Sequence, residues 1–286
     1  MIRAHVPLDL LHDVVVGLGS RDEATLAGDL LCHVVSFVRE RGWDYVDDVL
    51  ARTKVQLCGR FAVELDGKRV EGGLPGRQGR VLFAFLVANR NRTISRDELL
   101  EALWPAGRDA GLAPLLSKLR RVVPLDGTRV VLPAEAWVDV EAAADALHRA
   151  ESAVAQGEFH RAWGPSQVAL FVTGRPFVAG EEAPWIDETR RRLDEMQLRA
   201  LEAYAEAGLG IGGTELAAAV RAGRELVRRE PYRESGYRLL MEALVGQGNP
   251  AEALQVYEEL RSRLREDLGV APSGQAQELH RRLLSA

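Results

Sequence analysis

The residues best suited to chemistry lie in a short stretch, LAPLLSKLRRVVPLDG, at positions 112–127. On a helix of about 100° per residue, the leucines and valines from Leu115 to Val123 fall on one side. The opposite side and its flanks present one hydroxyl and three cations, on Ser117, Lys118, Arg120 and Arg121. Lysine and arginine donate hydrogen bonds to phosphate oxygens and, within a groove, to base edges. This segment therefore has the residue types that a helix needs to lie on nucleic acid.

The alternative interpretation is an ordinary surface helix, which also has one buried and one solvated side. Pro114 favours this alternative because proline fits the first turn of a helix and disrupts its interior, which shortens the available surface. A nearby loop, PAEA at 133–136, carries Glu135 and no cation, although Arg129 lies close by. A carboxylate next to phosphate is unfavourable. The pattern of this helix alone leaves both interpretations open.

The net charge of −5 conceals an uneven distribution along the chain. Residues 52–129, called here the basic segment, contain 15 lysines and arginines against 8 aspartates and glutamates, a net charge of +7. Residues 1–51 carry −5 and residues 130–286 carry −7. A basic module between acidic flanks favours nucleic-acid contact by that module.

Composition and motifs argue against several other functions. The sequence has no run of about 18 apolar residues, so it predicts no membrane span. The first residues lack the features of a signal peptide. Cys32 and Cys58 have no metal-ligand spacing, so we expect reduced thiols, no metal and a cytoplasmic location. GLGIGG at 208–213 follows a helix rather than a strand, which argues against a nucleotide cofactor. No catalytic arrangement is recognisable, so we expect no cofactor and no enzyme activity.

The order of elements in the basic segment is that of a winged helix-turn-helix. Residues 55–70 alternate between apolar and polar, and Asp66-Gly67 is a hairpin signal. Two helices are predicted next, at 77–89 and at 95–104, the second beginning with a Ser95–Glu98 capping box. The stretch at 112–127 supplies the third helix, in the recognition position.

The wing is predicted as a hairpin between RVVL (129–132) and WVDV (137–140), joined at the PAEA loop. From Glu141 onwards only helical patterns occur. AVAQGEFHRAW (153–163) and ALVGQGNPAEAL (243–254) share a helix, a Gln-Gly turn and a helix with a small packing residue, and 204–220 is a looser third case. Such repeats resemble tetratricopeptide stacking.

The fold class predicted from these patterns is mainly α. Residues 1–52 form an N-terminal helical extension that either packs on the rest or serves as a regulatory or dimerising cap. Residues 53–140 form a winged helix-turn-helix with small antiparallel sheets. Residues 141–286 form an all-α, tetratricopeptide-like domain.

Two long segments resemble the streptomycete antibiotic regulatory protein family. GRQGRVLFAFLVANRNRTISRDELLEALWP (76–105), followed by LLSKLRR, is similar to the family's OmpR-type winged helix. EPYRESGYRLLMEALVGQGNPAEALQVYEELRSRLREDLGVAPSGQAQELHRRLL (230–284), together with 183–206, is similar to its bacterial transcriptional activator domain. The resemblance covers about residues 54–286 and implies a cytoplasmic bacterial regulator, an activator, that binds double-stranded promoter DNA. The helical domain would contact RNA polymerase or a second copy of the chain.

Carried over by position, Ser117, Lys118, Arg120 and Arg121 match the family's S-[RK]-L-R-R motif, and Arg129 lies in the predicted wing. These five residues are the predicted DNA-binding set. Family members commonly have polar residues in the first turns of this helix, where this chain has Ala110 and the apolar run 112–115. The departure keeps a second hypothesis open, in which a degenerate winged helix no longer binds DNA specifically and the protein is a protein-interaction adaptor.

Overall fold

The computed structural model describes residues 52–104 and 111–285 of the chain. The helices predicted within residues 1–50 lie outside these ranges. The described part is mainly helical, with a small sheet region first and a helical domain second, which confirms the predicted fold class. Its helices are α1 (Gly76–Ala88), α2 (Arg96–Leu103), α3 (Leu112–Leu119), α4 (Asp139–Ala155), α5 (Phe159–Thr173), α6 (Pro184–Ile211), α7 (Leu216–Arg229), α8 (Glu234–Gly246), α9 (Pro250–Arg263) and α10 (Gly274–Ser285).

In the part of the chain that the structure describes, six short strands form two sheets. The strands are β1 (Lys54–Gln56), β2 (Ala62–Leu65), β3 (Lys68–Arg69), β4 (Leu125–Asp126), β5 (Arg129–Val130) and β6 (Trp137–Val138). The first sheet has the order β3-β2-β1-β6, and β4 pairs with β5 in the second. Asp66 and Gly67 join β2 to β3 with φ of 49° and 78°, the positive values that a tight hairpin turn requires. The predicted hairpin is confirmed.

The predicted wing pairing is wrong. Strand β5 pairs antiparallel with β4, and the turn between them contains Gly127 with φ of 59°. Strand β6 instead pairs in parallel with β1, Val55 lying opposite Val138. The wing is therefore the hairpin at 125–130, and the PAEA loop crosses from it back to the first sheet. Asp126-Gly127 is the same turn signal as Asp66-Gly67, and it decides the pairing locally.

The three helices of the winged helix enclose a buried core. Helix α1 lies at the centre of this core, and residues 81–87 are all buried because the sheet, the other helices and the helical domain surround it. Helix α2 begins as predicted, with the backbone N–H of Glu98 donating to the Ser95 hydroxyl at 3.1 Å. Leu99 and Leu103 are buried and Trp104 packs against the same core.

The helical domain is a series of antiparallel hairpins: α4 with α5, α6 with α7, and α8 with α9, followed by α10. The Gln-Gly turns occur where the repeats predict them, with φ of 72° at Gly157 and 80° at Gly248. Small residues allow close crossings: a Cβ on Gly223 of α7 would lie 2.9 Å from Cα of Leu240 on α8. No helix within the described ranges is long and apolar enough to cross a membrane.

The two parts of the chain meet without a linker, because α4 begins at the residue after β6. The loop between α5 and α6 also pairs with the chain after β1: the Gly59 N–H donates to Pro176 at 2.9 Å and the Val178 N–H donates to Leu57 at 2.7 Å. Val172, Phe177 and Ile186 of the helical part lie in the same buried cluster as the core of the winged helix. The predicted division after residue 140 falls inside α4 and stays a prediction.

Asp139, the first residue of α4, anchors this junction. It is 1% exposed, and its Oδ2 accepts from the backbone N–H groups of Leu57 at 2.8 Å and Cys58 at 2.7 Å. Burial raises the pKa of Asp139 from 3.8 to about 6, while the backbone donors oppose this shift. The native state therefore binds the Asp139 proton more tightly than the unfolded chain does.

This shift sets the direction of a pH dependence. The contribution of Asp139 to stability is greatest below pH 4 and falls as the pH rises to about 6, because the unfolded chain releases the proton first. The Asp139→Asn variant does not titrate at this position and serves as the reference. Between about pH 4 and pH 6, the free energy of unfolding of the parent protein should fall by roughly 3 kcal/mol relative to that of the variant. Urea denaturation of both proteins at pH 4, 5, 6 and 7 measures the difference. A difference that stays constant would contradict the raised pKa.

Candidate nucleic-acid interface

Helix α3 has the two-sided character that the sequence predicts. Leu112, Leu116 and Leu119 are buried against the core, while Ser117 and Lys118 are exposed. The helix begins before Leu115, the first residue used in the sequence prediction. It starts directly after Gly111, which has φ of 142°. Pro114 therefore lies in the first turn, where proline is tolerated.

The helix also ends earlier than expected. Leu119 is its last residue, so Arg120 and Arg121 follow α3 instead of lying on its face. Within the described ranges, the side chains of Lys118 and Arg121 form no hydrogen bond or ion pair. Both are exposed. Of the cations in the predicted set, these two could bind an anionic ligand without losing an existing protein contact.

Arg120 and Arg129 instead hold the wing in place. The Arg120 guanidinium donates to the carbonyl of Gly127 at 2.8 Å, which joins the end of α3 to the wing turn. Arg129 donates from Nε to the carbonyl of Arg90 at 3.1 Å. The Thr128 hydroxyl adds a 2.7 Å bond to the carbonyl of Ile94. The recognition helix and the wing are thus fixed to each other and to the end of α1.

The first half of α3 presents little that reads a base. Ala113 and Pro114 are its exposed residues before Ser117. Pro114, Leu115 and Lys118 line one side of a shallow groove, and Pro75 and Gly76 at the start of α1 line the other. Asparagine and glutamine, which recognise adenine edges, are absent from these described positions. The site fits phosphate contact better than base recognition.

The predicted acidic wing tip is relocated by the correct pairing. Glu135 is exposed in the loop between β5 and β6, away from the turn of the hairpin. The turn itself carries Asp126, which is exposed. The wing therefore still presents one carboxylate near its tip, from a different residue.

Several arginines of the basic segment have partners that sequence reasoning missed. Arg77 and Arg80 of α1 pair with Glu181. Arg90 forms a bidentate ion pair with Glu141, donating from Nε at 2.7 Å and from Nη2 at 2.6 Å. Both glutamates belong to the helical domain. The positive charge counted along the sequence is thus partly neutralised across the junction, and only the structure could show this, because the partners are 51 to 104 positions apart.

The described part of the chain is a winged helix, with Lys118 and Arg121 exposed at the end of its third helix, joined directly to a series of helical hairpins. Residues 138–284, just over half of the chain, match the family described as Bacterial transcriptional activator domain. The chain belongs to this family, and the predicted relationship to streptomycete antibiotic regulatory proteins is confirmed.

Named relatives agree with this assignment. The chain is 34% identical over 259 residues to Regulatory protein AfsR of Streptomyces coelicolor, covering 87% of this chain and 26% of that protein. It is 29% identical over 246 residues to Transcriptional regulatory protein EmbR of Mycobacterium tuberculosis, covering 80% of this chain and 62% of that protein. These names are of regulators and not of enzymes, in agreement with the prediction.

The fold has a solved counterpart. The structure titled Mycobacterium tuberculosis EmbR in complex with low affinity phosphopeptide matches with a TM-score of 0.70 and 25% identity. The match covers 82% of this chain and 65% of that chain. The chain thus spans about a quarter of AfsR and less than two thirds of EmbR.

Proposed function

We propose that this chain binds double-stranded promoter DNA through its winged helix and activates transcription. Lys118 and Arg121 would contact backbone phosphates, with Ser117 as a further donor. Arg120 and Arg129, predicted as DNA contacts, would act mainly by positioning the wing, since both donate to backbone carbonyls. The observation that carries the proposal is that Lys118 and Arg121, at the end of the recognition helix, are exposed and have no hydrogen bond or ion pair among the described residues. This role places the protein in the cytoplasm.

The helical domain would supply protein contacts, with RNA polymerase and with a second copy of the chain. Support comes from the family match over residues 138–284 and from the hairpin repeats, an architecture that binds proteins more often than it catalyses.

A second candidate function is a protein-interaction adaptor with a degenerate winged helix. Two observations favour it. The exposed start of α3 consists of Ala113 and Pro114, which offer no hydrogen bond to a base. Arg77, Arg80 and Arg90 are engaged by the helical domain, which lowers the charge available to DNA.

Fluorescence anisotropy with a mixed-sequence duplex across a salt series separates the two functions. Each phosphate contact contributes roughly 0.9 to the slope of log affinity against log salt. Lys118→Ala/Arg121→Ala should therefore weaken binding and reduce the slope by about 2. The control is Lys68→Ala/Arg69→Ala, which removes two exposed cations from β3 of the basic segment, of which Arg69 is paired with Glu71.

The two functions predict different results. DNA binding gives a steep slope that the α3 variant reduces and the β3 variant leaves nearly unchanged. Absence of binding at about 50 mM salt, where phosphate contacts are strong, would rule out the DNA-binding proposal and support the adaptor. Equal reductions in both variants would show that general charge, not the recognition helix, attracts the duplex.

A further inference from the structure

The carboxylate of Glu181 lies between two arginines of the winged helix. It accepts from Nε of Arg77, and Nη2 of Arg80 lies 3.6 Å from its other oxygen. The Glu181 side chain is 7% exposed, whereas Arg77 is 63% and Arg80 is 48% exposed. The buried Glu181 carboxylate of the helical domain is thus shared by Arg77 and Arg80 of the winged helix, which are largely solvated. The three side chains together carry a net charge of +1.

Glu181 is held in this position by its own domain. Arg190 of α6 donates to three carbonyls of the loop that carries Glu181: Phe177 at 3.1 Å, Val178 at 3.3 Å and Glu181 itself at 2.8 Å. The Glu181 N–H also donates to Val178 at 3.2 Å. The carboxylate is therefore presented to α1 by a fixed loop, and its position depends on how the helical domain docks.

The two arginines adjoin the side of the winged helix that carries the free cations. Gly76 and Pro75, at the start of α1, line the same groove as Lys118 of α3. Arg77 is the next residue, and Arg80 follows about one turn later on the same helix. Helix N-termini favour anions, and arginine binds phosphate and carboxylate with the same donor geometry.

We propose that Arg77 and Arg80 form a further phosphate-contacting site on DNA, and that the Glu181 carboxylate competes with phosphate for it. The inference rests on the proposed function of the winged helix. While Glu181 is docked, it occupies the donors that a phosphate would use, so DNA affinity stays below what the basic segment can provide. Displacement of the loop that carries Glu181 would release both arginines and raise affinity.

Glu181→Gln tests the competition in the full chain, by anisotropy with the mixed-sequence duplex. Glutamine keeps the shape of the side chain and removes the charge. Two added phosphate contacts should steepen the salt slope by about 2, which is roughly a tenfold larger fall in affinity between 50 and 200 mM salt. The control is Asp194→Asn, which removes an exposed carboxylate from α6 and should change the slope little.

The triple variant R77Q/R80Q/E181Q shows whether the arginines carry the effect. The proposal expects it to lose the gain seen in E181Q; a gain that persists without them would overturn it. Thermal denaturation checks that each variant folds. Should E181Q unfold, Glu181→Asp keeps the charge but shortens its reach, and an intermediate gain is expected.

If the parent chain binds DNA through Lys118 and Arg121 but E181Q and E181D both bind like it, this inference fails while the proposed function stands. If the parent does not bind DNA and E181Q does not either, both fail.

Discussion

Replacing Asp139 by alanine is expected to lower the free energy of unfolding by about 4 kcal/mol at pH 5. The backbone N–H groups of Leu57 and Cys58 both donate to this carboxyl group inside the junction. Each buried donor left without an acceptor costs roughly 1–3 kcal/mol. At pH 5 the group is mostly protonated, since its pKa is about 6, so removing it relieves little buried charge. Urea denaturation followed by circular dichroism gives the measurement.

The control is Asp145→Ala, which removes an exposed carboxylate from the same helix and should change stability by less than about 0.5 kcal/mol. Because the ionised group is penalised by burial, the cost of Asp139→Ala should be smaller at pH 7.5 than at pH 5. A loss below about 1 kcal/mol at pH 5 would mean that water satisfies both donors and that the junction opens readily.

Gly223→Val is expected to destabilise the helical domain by about 3 kcal/mol, the upper part of the range for overpacking. A Cβ at this position would lie 2.9 Å from both Cα and Cβ of Leu240, so α7 and α8 would have to separate. The backbone of α8 cannot rotate away as the end of a side chain can. Replacing glycine in a helix recovers up to about 1 kcal/mol, less than the steric cost.

Gly274→Ala is the matched control, because no atom lies within 4 Å of the added Cβ at the start of α10. It should be neutral or stabilise by a few tenths to about 1 kcal/mol. Thermal denaturation of both variants measures the contrast. If Gly223→Val melts with the parent protein, the close crossing of α7 and α8 is not needed for stability.

Local signals account for what could be predicted of the fold. Ser95 caps α2, Asp66-Gly67 closes a hairpin, and Gln-Gly turns separate the repeats, because each depends on residues within a few positions. The wing was mispredicted because two short apolar runs around PAEA resembled a hairpin. The pairing of β6 with β1 joins residues more than 80 positions apart, and no local pattern encodes it.

The candidate site shows the same limit. Helical periodicity placed Lys118 correctly on the solvated face of α3, whereas Arg121 is exposed but follows the end of the helix. The structural roles of Arg120 and Arg129 could not be predicted. The sequence does not distinguish an arginine that donates to the carbonyl of Gly127 or Arg90 from one without a partner. Charge counting likewise could not show that Glu141 and Glu181 neutralise part of the basic segment.

The shared buried cluster at the junction bears on how such regulators can diversify. Val172, Phe177 and Ile186 complete the core of the winged helix from the helical side. A gene fusion that attached this winged helix to an unrelated helical domain would strip these side chains from its core. The winged helix is therefore not an exchangeable unit, and its exposed side can change by single substitutions more readily than the whole domain can be replaced.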